Sequence, residues 1–163
     1  MAAVVKIYEL TGQNSGVDKT SSTVRFKLAD DTNVNNSNPI TIPSSGYTNS
    51  FTKQLRLYVA TAPSQVINNF KVYSDGSNNF GTGVSVNATN AGTTFSSNAT
   101  SLMNGSDLFS YTSGAPLVLN VTATNQTGTG FAGDICKLQL RVASTANPGQ
   151  LSQETLTFSY DEI

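Results

Sequence analysis

Two alternating runs within residues 51–76 dominate the hydrophobic pattern, separated by Ala62, Pro63 and Ser64. In the first, Phe51, Lys53, Leu55, Leu57 and Val59 share one parity, and Gln54, Arg56 and Tyr58 the other. In the second, Val66, Phe70 and Val72 share a face with Ser74, whereas Asn69, Lys71 and Tyr73 point away. Period-two alternation predicts half-buried β-strands, and Asp75-Gly76 closes the pair with a turn dipeptide. The expectation is one sheet layer with an apolar side and a polar side carrying Arg56, Tyr58, Lys71 and Tyr73.

The same pattern recurs along the chain. Residues 4–11 predict a first strand that is apolar on both parities. Residues 13–22 predict a polar loop. Residues 22–29 predict a strand with Val24, Phe26 and Leu28 inward and Arg25 and Lys27 outward. A short strand is expected at 40–43, a turn at 44–50, a hairpin loop at 76–83 and a strand at 84–88. Residues 117–124 should place Leu117, Leu119, Val121 and Ala123 inward. Residues 135–142 should place Lys137, Gln139 and Arg141 outward. Residues 155–160 close the series with Leu156, Phe158 and Tyr160 inward. Between them, residues 90–114 scatter Phe95, Leu102, Met103, Leu108, Phe109 and Tyr111 among Ser, Asn and Gly. A loop this long in a compact domain folds over something or carries function. Eight or nine strands with Gly/Pro/Asn turns and no helical period predict an all-β fold. The expected form is a two-layer antiparallel β-sandwich, jelly-roll or immunoglobulin-like, in a single domain spanning 1–163.

Composition narrows the function classes. Of 163 residues only 12% are charged and the net charge is −1, so no basic excess is present to neutralise phosphates, which argues against nucleic-acid binding. No apolar run approaches the length of a membrane span. Polarity comes from Ser, Thr and Asn, roughly a third of the chain, a surface indifferent to pH and salt. A chain of this size buries roughly 70% of its unfolded surface without staples. The start Met-Ala-Ala-Val-Val-Lys runs directly into a strand with no export signal, predicting synthesis in the cytosol. Cys136 is single and alternates with Leu138, Leu140 and Val142, the pattern of a small core residue.

Candidate chemistry is sparse. Histidine is absent, which removes the usual neutral-pH base, His-dependent nucleophile activation and His-ligated zinc. Paired-carboxylate hydrolysis would have to draw on Glu9, Asp75, Asp107, Asp134 or Glu154, which mostly fall at predicted turns or strand ends. No catalytic residue, cofactor site or metal site is assigned, and the chain is expected not to be an enzyme. The loop 30–39 is rich in carboxylate and amide oxygens. Asp30, Asp31 and Asn33 are candidate ligands for a hard cation such as calcium, or an Asx-rich turn bonded to its own backbone. Tyr58 and Tyr73, with Arg56 and Lys71, are a candidate sugar platform, since sugar faces stack on rings; cross-strand packing or a subunit interface explains them equally. Asn-X-Ser/Thr sequons include those beginning at Asn87, Asn98, Asn104, Asn120 and Asn125, and in so Ser/Thr/Asn-rich a chain they are expected by chance.

The leaderless Met-Ala-Ala start, the Ser/Thr/Asn-rich sandwich pattern, the run Gln-Leu-Arg-Leu-Tyr-Val and the ending Glu-Thr-Leu-Thr-Phe-Ser-Tyr-Asp-Glu-Ile resemble the small β-sandwich virion proteins of tailed bacteriophages, particularly head decoration or cement proteins. The resemblance carries no functional residue over by position. It implies a non-enzymatic structural protein of the virion that contacts the major capsid protein or other virion proteins, as a homo-oligomer with a trimer favoured. Residues 1–10 and 90–114 are the expected contact segments. The alternatives are a glycan- or host-surface-binding module of a phage fibre or tail, and a bacterial adhesin domain.

Overall fold

The computed structural model describes residues 2–12 and 16–163. Met1 and the first part of the expected polar loop, residues 13–15, lie outside the described residues. Among the described residues eleven strands form two antiparallel sheets: β1 (Val4–Leu10), β2 (Val17–Asp18), β3 (Tyr47–Asn49), β4 (Lys53–Thr61), β5 (Ile67–Tyr73), β6 (Val84–Asn90), β7 (Ser106–Asp107), β8 (Leu117–Val118), β9 (Asn125–Gln126), β10 (Gly130–Ala143) and β11 (Thr157–Glu162). The larger sheet runs β2-β1-β4-β10-β6-β7, with β3 also on β10. The smaller runs β11-β5-β8, with β9 also on β5. Among the described residues the one helical element is a 3-10 turn, Leu108–Ser110. The expected sandwich is therefore present, with eleven strands instead of eight or nine. The surplus pieces β2, β3, β7 and β9 are two or three residues long, too short for an alternating pattern to reveal.

Register explains the core. Ile7 lies opposite Leu57, Cys136 opposite Leu55 and Leu140 opposite Val86, so the inward parities of β1, β4, β10 and β6 meet on one face. From the smaller sheet Ile67, Phe70 and Val72 pack down onto them. Cys136 is fully buried in this cluster.

Four expectations need correction. The two runs of 51–76 are not neighbours in one layer: β4 belongs to the larger sheet and β5 to the smaller, so the link through Pro63 crosses between sheets. Within β5 the inward residue is Ile67 rather than Val66. Asn69 takes φ +56° where the β5/β11 register shifts between Ser159 and Asp161, and the bulge inverts the parity on one side of it. Residues 22–29 form no strand, and Lys27 is buried rather than outward. Residues 117–124 pair only at β8; Leu119 is buried but Val121 is 74% exposed.

That last departure has a local cause. Between Ala132 and Cys136, β10 bulges against β4 and places Asp134 beside residues 121–123. Its carboxylate accepts the backbone N–H groups of Val121 (2.8 Å), Thr122 (3.0 Å) and Ala123 (2.9 Å), and the Asn90 amide (2.8 Å). Three consecutive amides turned onto one carboxylate cannot also serve a ladder. Gly133 makes the bulge possible: its φ is +67°, and a Cβ there would lie 2.9 Å from Phe70 Cγ.

Candidate functional site

The polar side of the larger sheet has a structural task. Residues 93–104 lie across it, and amide and guanidinium side chains hold their backbone. Arg56 donates to the carbonyls of Thr93 (3.0 Å) and Gly133 (2.8 Å). Gln54 donates to Ser96 O and Asn98 Oδ1. Gln139 donates to the carbonyls of Ser50 and Ser101 and accepts the Met103 N–H at 2.8 Å. Gln54 and Gln139 are fully buried as a result. Residues 93–104 thus cover their own sheet, with Met103 buried and Leu102 left exposed, while Leu108 and Phe109 farther along join the core cluster. The first strand is likewise interior to its sheet, between β2 and β4, and Ala3 N donates to Glu162 Oε1.

The carboxylate-rich loop is held by this chain's own ammonium groups. Lys27 Nζ bonds Asp31 Oδ1 and Asn35 Oδ1, both at 3.0 Å. Lys53 Nζ bonds the Asp31 carbonyl and Lys19 Nζ the Thr32 carbonyl, each at 2.6 Å. Asp30 accepts from Gly12 N and Asn98 Nδ2, and Asn33 N caps Asp31 as an Asx turn. Burial raises the Asp31 value, but the bonds from Lys27 and Asn33 outweigh it and hold the carboxyl below its usual range. Of the three residues weighed for calcium, Asp31 gives its carboxylate to Lys27, while Lys53 and Lys19 bond backbone carbonyls of the same loop. Among the described residues no three His, Cys, Asp or Glu side chains gather as a metal site.

The five acids weighed for catalysis are dispersed. Asp75 and Asp107 accept local backbone amides at turns, and Glu154 accepts the Asn79 N–H. Glu9 and Asp134 depart from the expectation of solvated positions, both being 1% exposed. Glu9 Oε1 pairs with Lys53 at 2.8 Å and its Oε2 with Lys19 at 3.6 Å. Of the sequons, Asn98 is buried and bonded to Asp30, Gln54 and the Leu10 carbonyl, so glycosylation there is incompatible with the fold.

The tyrosine platform is not assembled as expected. Tyr58 lies on β4 and Tyr73, with Lys71, on β5, in different sheets. Tyr58 instead stacks on Tyr8 (4.7 Å between centroids, 7° between planes), and Phe131 meets both edge-on. The Arg56 guanidinium sits 5.4 Å from the Phe131 centroid. Sequence reasoning missed Tyr8 and Phe131 as companions because strand pairing, not chain proximity, brings them together.

A concave feature lies on the opposite side of that sheet. The strands β5, β8, β9 and β11 cover part of its apolar face. Elsewhere the cover consists of residues 22–26, 39–42 and 147–156, and between cover and sheet lies a cleft of about 900 Å³. Leu55, Leu138 and Leu140 form the floor, Phe26, Ile40 and Leu151 part of the wall. Sealed and dry, such a volume would cost roughly 20 kcal/mol, beyond the about 5–15 kcal/mol of a whole domain. It therefore stands open or filled. Arg25 also lines it, and makes no ion pair among the described residues.

No protein-family model, curated protein or solved structure matches this chain.

Proposed function

We propose that this is a non-enzymatic structural protein of a virion, acting as a decoration or cement protein on a tailed-phage head through contacts with the major capsid protein and with copies of itself. One observation carries the reading: polar and ionic side chains are engaged inside the domain as cross-links, while apolar groups are left facing outward. Lysines, glutamines and Arg56 pin loops to sheets. Val4, Tyr47, Leu102, Val121 and Ile163 are exposed at 49%, 59%, 57%, 74% and 63%, and the apolar cleft adds to them. A rigid frame with apolar contact points suits repeated binding on a lattice, where several weak contacts add by avidity. Among the expected contact segments the reading now rests on Val4 and Leu102, whose neighbours face the domain's own core.

The glycan-binding reading draws on the Tyr8–Tyr58–Phe131 cluster, in which Tyr8 and Tyr58 each give one ring face to the other, a face that a sugar would otherwise stack on. The deciding experiment mixes the purified protein with undecorated phage heads and follows co-sedimentation, with a glycan array in parallel. Saturable binding to heads that Leu102→Asp and Val121→Asp weaken supports the structural role; glycan binding lost on Tyr58→Ala, with no head binding, refutes it.

A further inference from the structure

Lys27 and Lys53 are both enclosed, but they are not equally served. Lys53 has the enclosed Glu9 as its counter-ion. Lys27, 1% exposed, has only Asp31, whose side chain is 32% exposed, and the neutral amide of Asn35. A charge taken out of water is costly unless its compensation is complete.

Around Lys27 Nζ stand the groups that turn an amine into an amide. Asp31 Oδ1 and Asn35 Oδ1 each lie 3.0 Å away. Asn35 Oδ1 also accepts the Ser37 N–H at 3.1 Å, so two donors polarise its carbonyl. Asn35 is exposed, and its Nδ2 has no hydrogen-bond partner among the described residues. The backbone holds this arrangement in place. Leu28 N–H donates to the Asn38 carbonyl at 2.8 Å and Phe51 N–H to the Lys27 carbonyl at 3.1 Å. Amine and carboxamide thus meet across one closed loop, the condition under which an intramolecular reaction gains most.

We propose that Lys27 and Asn35 join in an intramolecular isopeptide bond, with Asp31 as the proton carrier. The Lys27 ammonium gives a proton to Asp31, and the freed Nζ lone pair attacks Asn35 Cγ. The carbonyl electrons move onto Oδ1, where the Ser37 N–H remains as donor. The Cγ–Nδ2 bond then breaks, and Nδ2 takes the proton from Asp31 and leaves as ammonia on the solvent side. The attacking nitrogen passes its surplus proton to Asp31, which releases it to the departing ammonia. The products are one secondary amide and one ammonium ion, and neither oxidant nor co-reactant is needed. An enclosed charge is exchanged for a neutral amide. The inference goes beyond the virion role and does not depend on it.

The test is intact-mass spectrometry of the purified full-length chain, followed by peptide mapping with tandem sequencing. The folded wild type should be lighter than its sequence by one ammonia and should yield a branched peptide joining Lys27 to Asn35, with no tryptic cleavage after Lys27. Lys27→Arg and Asn35→Ala should keep the full mass, and Asp31→Ala should form the bond roughly a hundredfold more slowly. The branched peptide is read from the wild type alone, so the test survives misfolding of any variant. Hydroxylamine, which opens a succinimide, should leave the mass loss in place. Reversal by hydroxylamine, or linear peptides carrying unmodified Lys27 and Asn35, overturns the inference. A bond that forms equally fast in Asp31→Ala overturns the part given to Asp31.

Discussion

Lys53 and Glu9 meet on the core side of the larger sheet, Nζ to Oε1 at 2.8 Å, with each residue 1% exposed. They sit on adjacent strands at positions where alternation calls for apolar side chains. The charges are tolerated because each has a partner and because Lys53 continues to the Asp31 carbonyl. Lys19 stands 3.6 Å from the other Glu9 oxygen, which accepts no hydrogen bond among the described residues.

Removing Glu9 alone should therefore be severe. Glu9→Leu leaves Lys53 without its carboxylate in a dry site, and a loss of about 3–5 kcal/mol is expected in urea unfolding. The double variant Glu9→Leu/Lys53→Met should recover much of it. Equal losses in the single and double variants would contradict this account.

Asp134 organises residues 121–123 through three backbone amides. Burial raises its pKa, but the bonds from Asn90, Thr122, Ala123 and Val121 prevail and hold it below the ordinary carboxylate value. Its folded pKa is thus below its unfolded one of about 3.9. The stability it confers is present above that value and is lost as pH falls through the lower folded pKa. Asp134→Ala should cost about 3 kcal/mol at neutral pH and flatten the acid limb of a stability-versus-pH curve.

Gln139 is the main grip on the covering segment. Gln139→Leu preserves bulk but removes one acceptor and the donors to two carbonyls, leaving buried backbone groups unmet. Expected outcomes are a loss of about 2–3 kcal/mol and faster amide exchange confined to residues 96–104. Uniform exchange changes across the domain would indicate a different role.

Cys136 is fully buried, and burial pushes its thiol up to about 12. A thiol reagent at pH 8 should leave it unmodified in the native protein and label it completely in denaturant. Fast native labelling would contradict its place in the core.

Much of the frame is legible in the residue pattern. The alternation at 53–59 and 136–142 predicts both the strands and their inward faces, because a strand's period of two is a local property that each side chain reports. Cys136 and Leu140 lie where that pattern puts them. The pattern fails at Asn69, Gly133 and Val121, where a bulge or a side chain turned onto backbone amides breaks the count. It fails again for Lys27, because a lysine reads as outward unless its distant partner is known; Lys53 shares the parity of Leu55 and Leu57 and is buried with them.

The sequence by itself determined an antiparallel β-sandwich, its principal strands, and a core that includes its single cysteine. Only the tertiary structure decided that β4 and β5 belong to different sheets, that the polar face grips residues 93–104, and that three ammonium groups bond within the carboxylate-rich loop. It alone revealed the apolar cleft. The physical reason is range: parity is set by adjacent residues, whereas the pairs Glu9–Lys53, Gln54–Asn98 and Asn69–Asp161 span 44, 44 and 92 positions of chain.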